Sequence, residues 1–220
     1  MIFAKIDFIN LLPFYVYLKK NIPSSQTKQI INYNKSYPSA INKKFKKRKI
    51  DAAIISSIAS RNCKCLDMGI VAKNEVDSVL VLSNKANKND FQSDTSNALA
   101  KILNVSGEVI IGDKALQYFY NNPNEEFIDL ALLWKEKYQL PFVFARLCAN
   151  KHHNTLKSLS KNFIKTKVKI PHYILKQYSK RSGLSFTQIH TYLTKISYDL
   201  GSKEKKSLKL FLKLTKQKGI

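Results

Sequence analysis

Apolar and polar positions divide the chain into short segments of two periods. Residues 2–8 alternate and predict a first strand, and residues 11–20 predict a helix with Pro13 in its first turn, where proline is tolerated. Residues 30–33 predict a short second strand, and a helix follows through Phe45 with Ser39 as its N-cap. DAAII (51–55) is a compact apolar strand that ends on Ser56 and Ser57, and 66–72 and 77–83 predict two more strands. Residues 84–95 are polar and without period, a loop. Asp94, Thr95, Ser96 and Asn97, all capping types, stand just before the helical ALAKIL. Residues 108–111 predict a strand closed by Gly112 and Asp113, and a helix resumes over 114–120. Strands alternating with helices predict an α/β fold with a mostly parallel sheet.

The stretch FIDLALLWKEKYQLPFVFARL (127–147) organises the second half of the chain. Ile128, Leu132, Leu133 and Trp134, broken by Lys135, Glu136 and Lys137, predict an amphipathic helix that stops at Leu140 and Pro141. Residues 142–145 are an apolar run expected to form a strand buried on both faces. Such a passage suits a chain crossing from one lobe into the core of another. Everything after it reads as helix: 152–163, 171–182, 185–198 and 203–216, with Ser185 and Gln188 at capping-box spacing.

Composition narrows the function. At 220 residues the chain forms one or two compact domains, and its net charge of +23 raises the question of an anionic partner. Nearly all of that charge is lysine; the arginines are Arg48, Arg61, Arg146 and Arg181. Arginine is the usual reader of guanine edges and phosphates, so its scarcity argues for a solvated lysine surface and against a nucleic-acid partner. GLSFTQIHTYL (183–193) has a faint helix-turn-helix look but lacks a turn glycine between two helices. Cys63, Cys65 and Cys148 are odd in number and lack a second C-x-C pair, which predicts reduced thiols, no metal and a cytoplasmic setting. No stretch approaches a membrane span, and the apolar residues 8–18 are too interrupted for an export signal. No cofactor motif is present, and neither a G-x-S-x-G elbow nor a histidine in the first two-thirds of the chain supports nucleophilic catalysis.

The predicted strand ends collect small polar residues: Asn10, then Ser56 and Ser57, then Thr95, Ser96 and Asn97, then Gly112 and Asp113. Ligands of open α/β sheets bind outside the carboxyl ends of strands, where helix N-termini present free amides and a positive dipole end. That inventory suits a small polyanion. Ser57, Thr95 and Asp113 serve equally well as helix caps, and Asn10 as a turn residue.

IDFINLLP, YPSAINKKF, IDAAIISSI, MGIVA, VDSVLVLS, DTSNALAKIL, VIIGDKAL and IDLALLWKEKYQLPFVFA, in that order over residues 2 to about 150, resemble the blocks of the chorismate dehydratase family of the futalosine menaquinone pathway. The resemblance implies a two-lobed periplasmic-binding-protein-like (type II) fold with a ligand cleft between the lobes. Lobe one would be residues 1–83 plus 142–220 and lobe two 84–141, with VLVLS leaving and PFVFA returning. It implies chorismate as substrate, Asn10 in catalysis with Asp113 as a weaker alternative, and Ser56, Ser57, Thr95, Ser96, Asn97 and Gly112 in substrate binding. The sister dihydroxynaphthoate synthase typically carries an I-H-E-x-R block that is missing here. A non-catalytic anion-binding protein of the same fold stays open. Arg146 stands where an apolar residue is expected.

Overall fold

A computed structural model describes residues 1–22 and 34–220; the strand expected at 30–33 lies outside them. Two sheets organise the chain. The larger has the order β1-β2-β7-β3-β8, formed by β1 (Phe3–Ala4), β2 (Ala52–Ser56), β3 (Cys65–Ala72), β7 (Phe142–Ala149) and β8 (Ile196–Asp199). The smaller has the order β5-β4-β6, formed by β4 (Val79–Leu82), β5 (Glu108–Ile111) and β6 (Ile128–Asp129). Around them pack α1 (Leu12–Asn21), α2 (Pro38–Lys46), α3 (Asp94–Leu103), α4 (Gly112–Asn121), α5 (Leu130–Tyr138), α6 (His153–Lys165), α7 (His172–Ser182), α8 (Phe186–Thr194) and α9 (Ser202–Gln217).

The sheet is not mostly parallel. Among the named strands only β1 and β2 pair in parallel; β7 runs antiparallel to both β2 and β3, and β8 antiparallel to β3. Strands β1, β2 and β3 do share one direction, as alternating βα units require. The returning strand β7 enters between β2 and β3 from the other sheet, an insertion that local alternation cannot reveal. Its central place explains its apolar sequence: Phe142, Val143, Leu147 and Cys148 are at most 1% exposed.

Four further expectations change. The run VLVL belongs to the smaller sheet, so the outgoing crossing lies in residues 73–78, ahead of β4 rather than after it. The helix expected over 185–198 ends at Thr194, because Ile196 and Tyr198 suit a strand and β8 closes the edge beside β3, Val71 facing Ser197. Cys65 and Cys148 face each other across β3 and β7 and are joined as a disulfide, so the two are not free thiols; Cys63 remains free. The capping box of Ser185 and Gln188 forms with both bonds. Tyr37, not Ser39, precedes α2, and Ser39 instead donates to the Phe91 carbonyl at 3.2 Å.

Residues 127–147 carry the chain from the smaller sheet to the larger one. The chain makes the short β6, and Asp129 then caps α5, its Oδ1 accepting from the Ala131 and Leu132 amides at 2.9 and 3.1 Å. Its Oδ2 accepts from the Val76 and Asp77 amides at 2.8 and 2.7 Å. One buried carboxylate therefore ties the outgoing crossing to the start of α5. Helix α5 ends with Gln139 in the left-handed region (φ 55°), and Leu140-Pro141 turns the chain into β7. Trp134, fully buried, packs against Phe142 and Phe211 and donates to Ser207 Oγ at 3.0 Å, fastening α5 to β7 and α9.

Asp129→Ala would leave four amides without an acceptor, and hydrogen bonds to a charged group are worth about 1.5–3 kcal/mol each before relaxation. We expect a loss of at least about 3 kcal/mol in urea denaturation; a change under about 1 kcal/mol would show that water replaces the carboxylate without cost.

Candidate active site

Between the two sheets lies a narrow slot of about 60 Å³. It is far smaller than the roughly 300 Å³ at which small-molecule pockets begin, so a ligand of any size requires the sheets to part. Its walls combine apolar side chains (Ile6, Phe8, Ile70, Val76, Ile111, Phe144) with Asn10, Ser56, Ser78, Ser93, Ser96 and Gly112. No lysine, arginine, aspartate or glutamate is among the described residues that line it.

Three helices begin at this slot: α2 with Pro38, α3 with its cap Ser93, and α4 with Gly112. Each brings the positive end of its dipole, and α2 and α4 lack a side-chain cap bond. The slot is thus favourable to negative charge without a formal positive charge among the described residues that line it. Gly112 fits because its φ is +62° and an added Cβ would stand 3.0 Å from the Phe8 ring.

Four of the eight predicted residues meet here. Asn10 sits in a 3-10 turn (Ile9–Leu11) that precedes α1, with its carbonyl accepting from the Tyr198 hydroxyl at 2.6 Å and its buried Oδ1 without a partner. Ser56 ends β2, its Oγ accepting from Asn42 Nδ2 at 2.8 Å while its amide donates to Asn42 Oδ1 at 3.2 Å. Ser96 shares a 2.8 Å hydroxyl contact with Ser93, and Gly112 donates its amide to the Ser78 carbonyl at 2.8 Å.

The other four are engaged elsewhere. Ser57 points to the opposite face from Ser56, as strand alternation dictates, and donates to the Val143 carbonyl at 2.5 Å. Thr95 Oγ1 accepts from the Ile58 amide at 3.1 Å. Asn97 exchanges hydrogen bonds with the Asp90 main chain at 2.9 and 2.7 Å. Asp113 spends one oxygen on the Ile9 amide at 3.2 Å and the other on Arg181 at 2.7 Å, so it props the turn that carries Asn10. Helix α3 starts at Asp94 with Ser93 as its cap, which moves Thr95 and Ser96 into its first turn.

Reading the sequence missed Asn42, Ser78, Ser93 and Tyr192. The fully buried Tyr192 on α8 donates to Ser78 Oγ at 3.0 Å. Burial pushes its phenol well above the ordinary value, against the pull of Ser78 and Asn10, so it stays protonated at neutral pH. Ser93 carried a legible signal, a serine three residues ahead of Ser96; Tyr192 carried none, because its partners are far off in sequence. Arg146 on β7 is half-buried with Nε unpartnered, and burial lowers its pKa; it does not line the slot.

A family profile described as menaquinone biosynthesis matches residues 1–106 and 94–217. The chain is 48% identical over 219 residues to a protein named chorismate dehydratase from Campylobacter jejuni, covering 98% of each. Among solved structures it resembles a protein from Archaeoglobus fulgidus (13% identity, TM-score 0.66, covering 99% of this chain and 97% of that one). It also resembles the alkanesulfonate-binding protein of Xanthomonas axonopodis (9% identity, TM-score 0.50, 98% and 89%). At such identities these two likenesses concern the fold alone, that of type II periplasmic binding proteins.

Beside the slot, Asp7 gathers Lys5 and Lys35 at 3.1 Å, Arg181 at 2.9 Å and the Tyr178 hydroxyl at 2.5 Å. A depression of about 430 Å³ opens there, but its walls include Asp7 already paired with three of its cations. Burial alone would raise the Asp7 pKa; Tyr178, Lys5 and Arg181 overcome it and hold the carboxyl well below the usual range. A folded pKa below the unfolded one contributes stability that is present above about pH 4 and fades as pH falls toward the folded value. The melting temperature of Asp7→Asn should therefore lie below that of the native protein at pH 7, with the gap closing below about pH 4. A gap that does not change with pH would mean that the charge of Asp7 contributes nothing.

Proposed function

The chain belongs to the menaquinone-biosynthesis family, and from that membership we infer that it is a chorismate dehydratase, a hydro-lyase. The observation that carries this reading is 48% identity over 98% of both chains. Chorismate loses the hydrogen on the carbon bearing the enolpyruvyl ether and the hydroxyl on the neighbouring carbon, and 3-[(1-carboxyvinyl)oxy]benzoate and water result. Aromatisation drives the reaction, so the protein's task is to orient the substrate and stabilise charge as it develops.

The slot suits that task. Chorismate is a dianion, and the helix N-termini at Pro38, Ser93 and Gly112, with the hydroxyls of Ser56, Ser78, Ser93 and Ser96, are donors for two carboxylates. Asn10 cannot act as a base, but its amide NH₂ can donate to an anionic intermediate or to the hydroxyl that departs. No titratable side chain is among the described residues lining the slot, so a substrate carboxylate takes the proton, in preference to the occupied Asp113. We take the smaller sheet and its helices, residues 79–138, as one lobe that swings away from the rest to admit substrate. Among the described residues no helix is long and apolar enough to cross a membrane; we place the enzyme in the cytoplasm, acting on a small soluble dianion.

Incubation of the purified protein with chorismate, followed by liquid chromatography and mass spectrometry, should show loss of one water and a new aromatic absorbance. Asn10→Ala should lower turnover by about 10²-fold or more, the scale of removing one oriented polar contact to the reacting group. Chorismate that binds but returns intact would make the protein a receptor and overturn the enzyme reading. Native turnover by a folded Asn10→Ala variant would remove Asn10 from the mechanism.

A further inference from the structure

An ion pair beside the slot joins the two sides that must part. Asp113 stands in the first turn of α4, with the smaller sheet, and Arg181 near the end of α7, in the C-terminal segment that completes the larger sheet through β8. Asp113, Gln117 and Tyr120 recur at helical spacing along α4 and so share a face. Each reaches the C-terminal segment. Asp113 pairs with Arg181 Nη2 at 2.7 Å, Gln117 donates to the Ser182 carbonyl, and the Tyr120 hydroxyl donates to the Gln188 carbonyl at 3.4 Å. These contacts are polar, and water can take the place of each when the sides separate.

Arg181 is held in place without Asp113. Its Nη1 pairs with Asp7 at 2.9 Å and its guanidinium lies 4.2 Å from the Tyr178 ring centroid, both on its own side. Asp113 therefore brings an acceptor to two waiting donors, Arg181 Nη2 and the Ile9 amide, the latter 3.2 Å from its Oδ1. That amide opens the 3-10 turn Ile9–Leu11, and an opening amide has no acceptor within its own turn. The next residue is tied on its own side, where Tyr198 donates to the Asn10 carbonyl at 2.6 Å. The turn that carries Asn10 is thus anchored once on each side of the slot.

We propose that Asp113 and Arg181 form a latch that joins as the slot shuts, and that Asp113 is a positioning residue, setting through the Ile9 amide the turn that presents Asn10. This rests on the dehydratase reading and specifies how its site is completed: Asn10 takes its working position only when the two sides meet. Arg181 has a second task. Asp113 is one residue from the slot-lining Gly112, and the guanidinium offsets a negative charge that would otherwise repel an incoming dianion.

Asp113→Ala removes the acceptor and should lower kcat by about tenfold or more. Arg181→Met leaves Asp7 paired with Lys5, Lys35 and Tyr178, and should raise KM by about fivefold or more, because a smaller fraction of the protein is closed. In the double variant the loss of kcat/KM should fall short of the product of the two single losses by about threefold or more, since both break one latch. Native kcat in a folded Asp113→Ala enzyme, or a full product in the double variant, would overturn the proposal. If Asp113→Ala does not fold, Arg181→Met decides alone, and native KM there overturns the latch.

Hydrogen exchange of the Ile9 main-chain amide, followed without substrate, separates this proposal from the reading it rests on. The reference is the Ser57 amide, bonded within the larger sheet to the Phe144 carbonyl at 2.9 Å. In Arg181→Met the Ile9 amide should exchange at least about tenfold faster relative to Ser57, although the Arg181 side chain bonds to Asp113 and not to Ile9. A brace that merely stabilises the fold would speed both amides alike, and an unchanged ratio refutes the latch whatever the protein turns over. A raised ratio in a protein that leaves chorismate intact would sustain the latch and refute the dehydratase.

Discussion

A single buried carboxylate holds the two halves of the fold in register. Asp129 accepts from four main-chain amides, two on the segment of chain leaving the larger sheet and two in the first turn of α5. These amides face the interior and lie outside any sheet ladder, so no local backbone partner is available to them. Lys195, just past the end of α8, pairs with Glu75 at 3.2 Å and Asp77 at 2.7 Å, so the C-terminal segment is pinned to the same crossing. Asp77 itself has φ 56°, an unfavourable conformation for a non-glycine residue, and these contacts maintain it. This point fixes the positions of β4, which begins just after the crossing and includes the lining residue Val79, and of α8, which supplies Tyr192.

What the sequence made legible was local. DAAII, the apolar return strand after Leu140-Pro141 and the Ser185 capping box are each specified by adjacent residues, and each forms. The features that sequence reasoning missed are set by partners far along the chain. Tyr192 reaches Ser78 across 114 positions, and Tyr198 reaches Asn10 across 188. The edge strand β8 is four residues whose strand character depends on β3 being beside it, and the same residues continue a helical pattern equally well. Asp129 was hidden for another reason. In FIDLALL the apolar periodicity runs through it, and only the two amides from 76–77 show why an acid stands there.

The way the predicted residues divide at the slot has its own physical cause. Capping and anion binding draw on the same side chains, small hydroxyls and amides at strand ends and helix starts, so residue type alone cannot separate them. Geometry does so position by position. Ser56 and Ser57 are neighbours on opposite faces of the chain at the end of β2: one lines the slot and the other fastens β2 to β7 through the Val143 carbonyl. Ser96 and Thr95 divide in the same way along the first turn of α3. Blocks that carry the family resemblance contribute residues to the slot, and the alternation within each block selects the residue that lines it.

The contrast between a chain of net charge +23 and a slot with no charged side chain among the described residues that line it has a chemical rationale. A lysine or arginine against a substrate carboxylate would bind it more tightly, but an adjacent cation lowers the pKa of a carboxylate by about 1–3 units. A carboxylate weakened in that way is a poor acceptor for a proton on carbon. Helix dipoles and neutral hydroxyls would hold the proposed dianion with partial charges instead, and so preserve more of its basicity. The lysines remain outside the slot, where their field can draw a dianion toward the protein without contacting the reacting group. On the proposed reading, substrate capture and proton transfer would be separated in space: long-range positive charge would serve the first, and a neutral, tightly shaped interior the second.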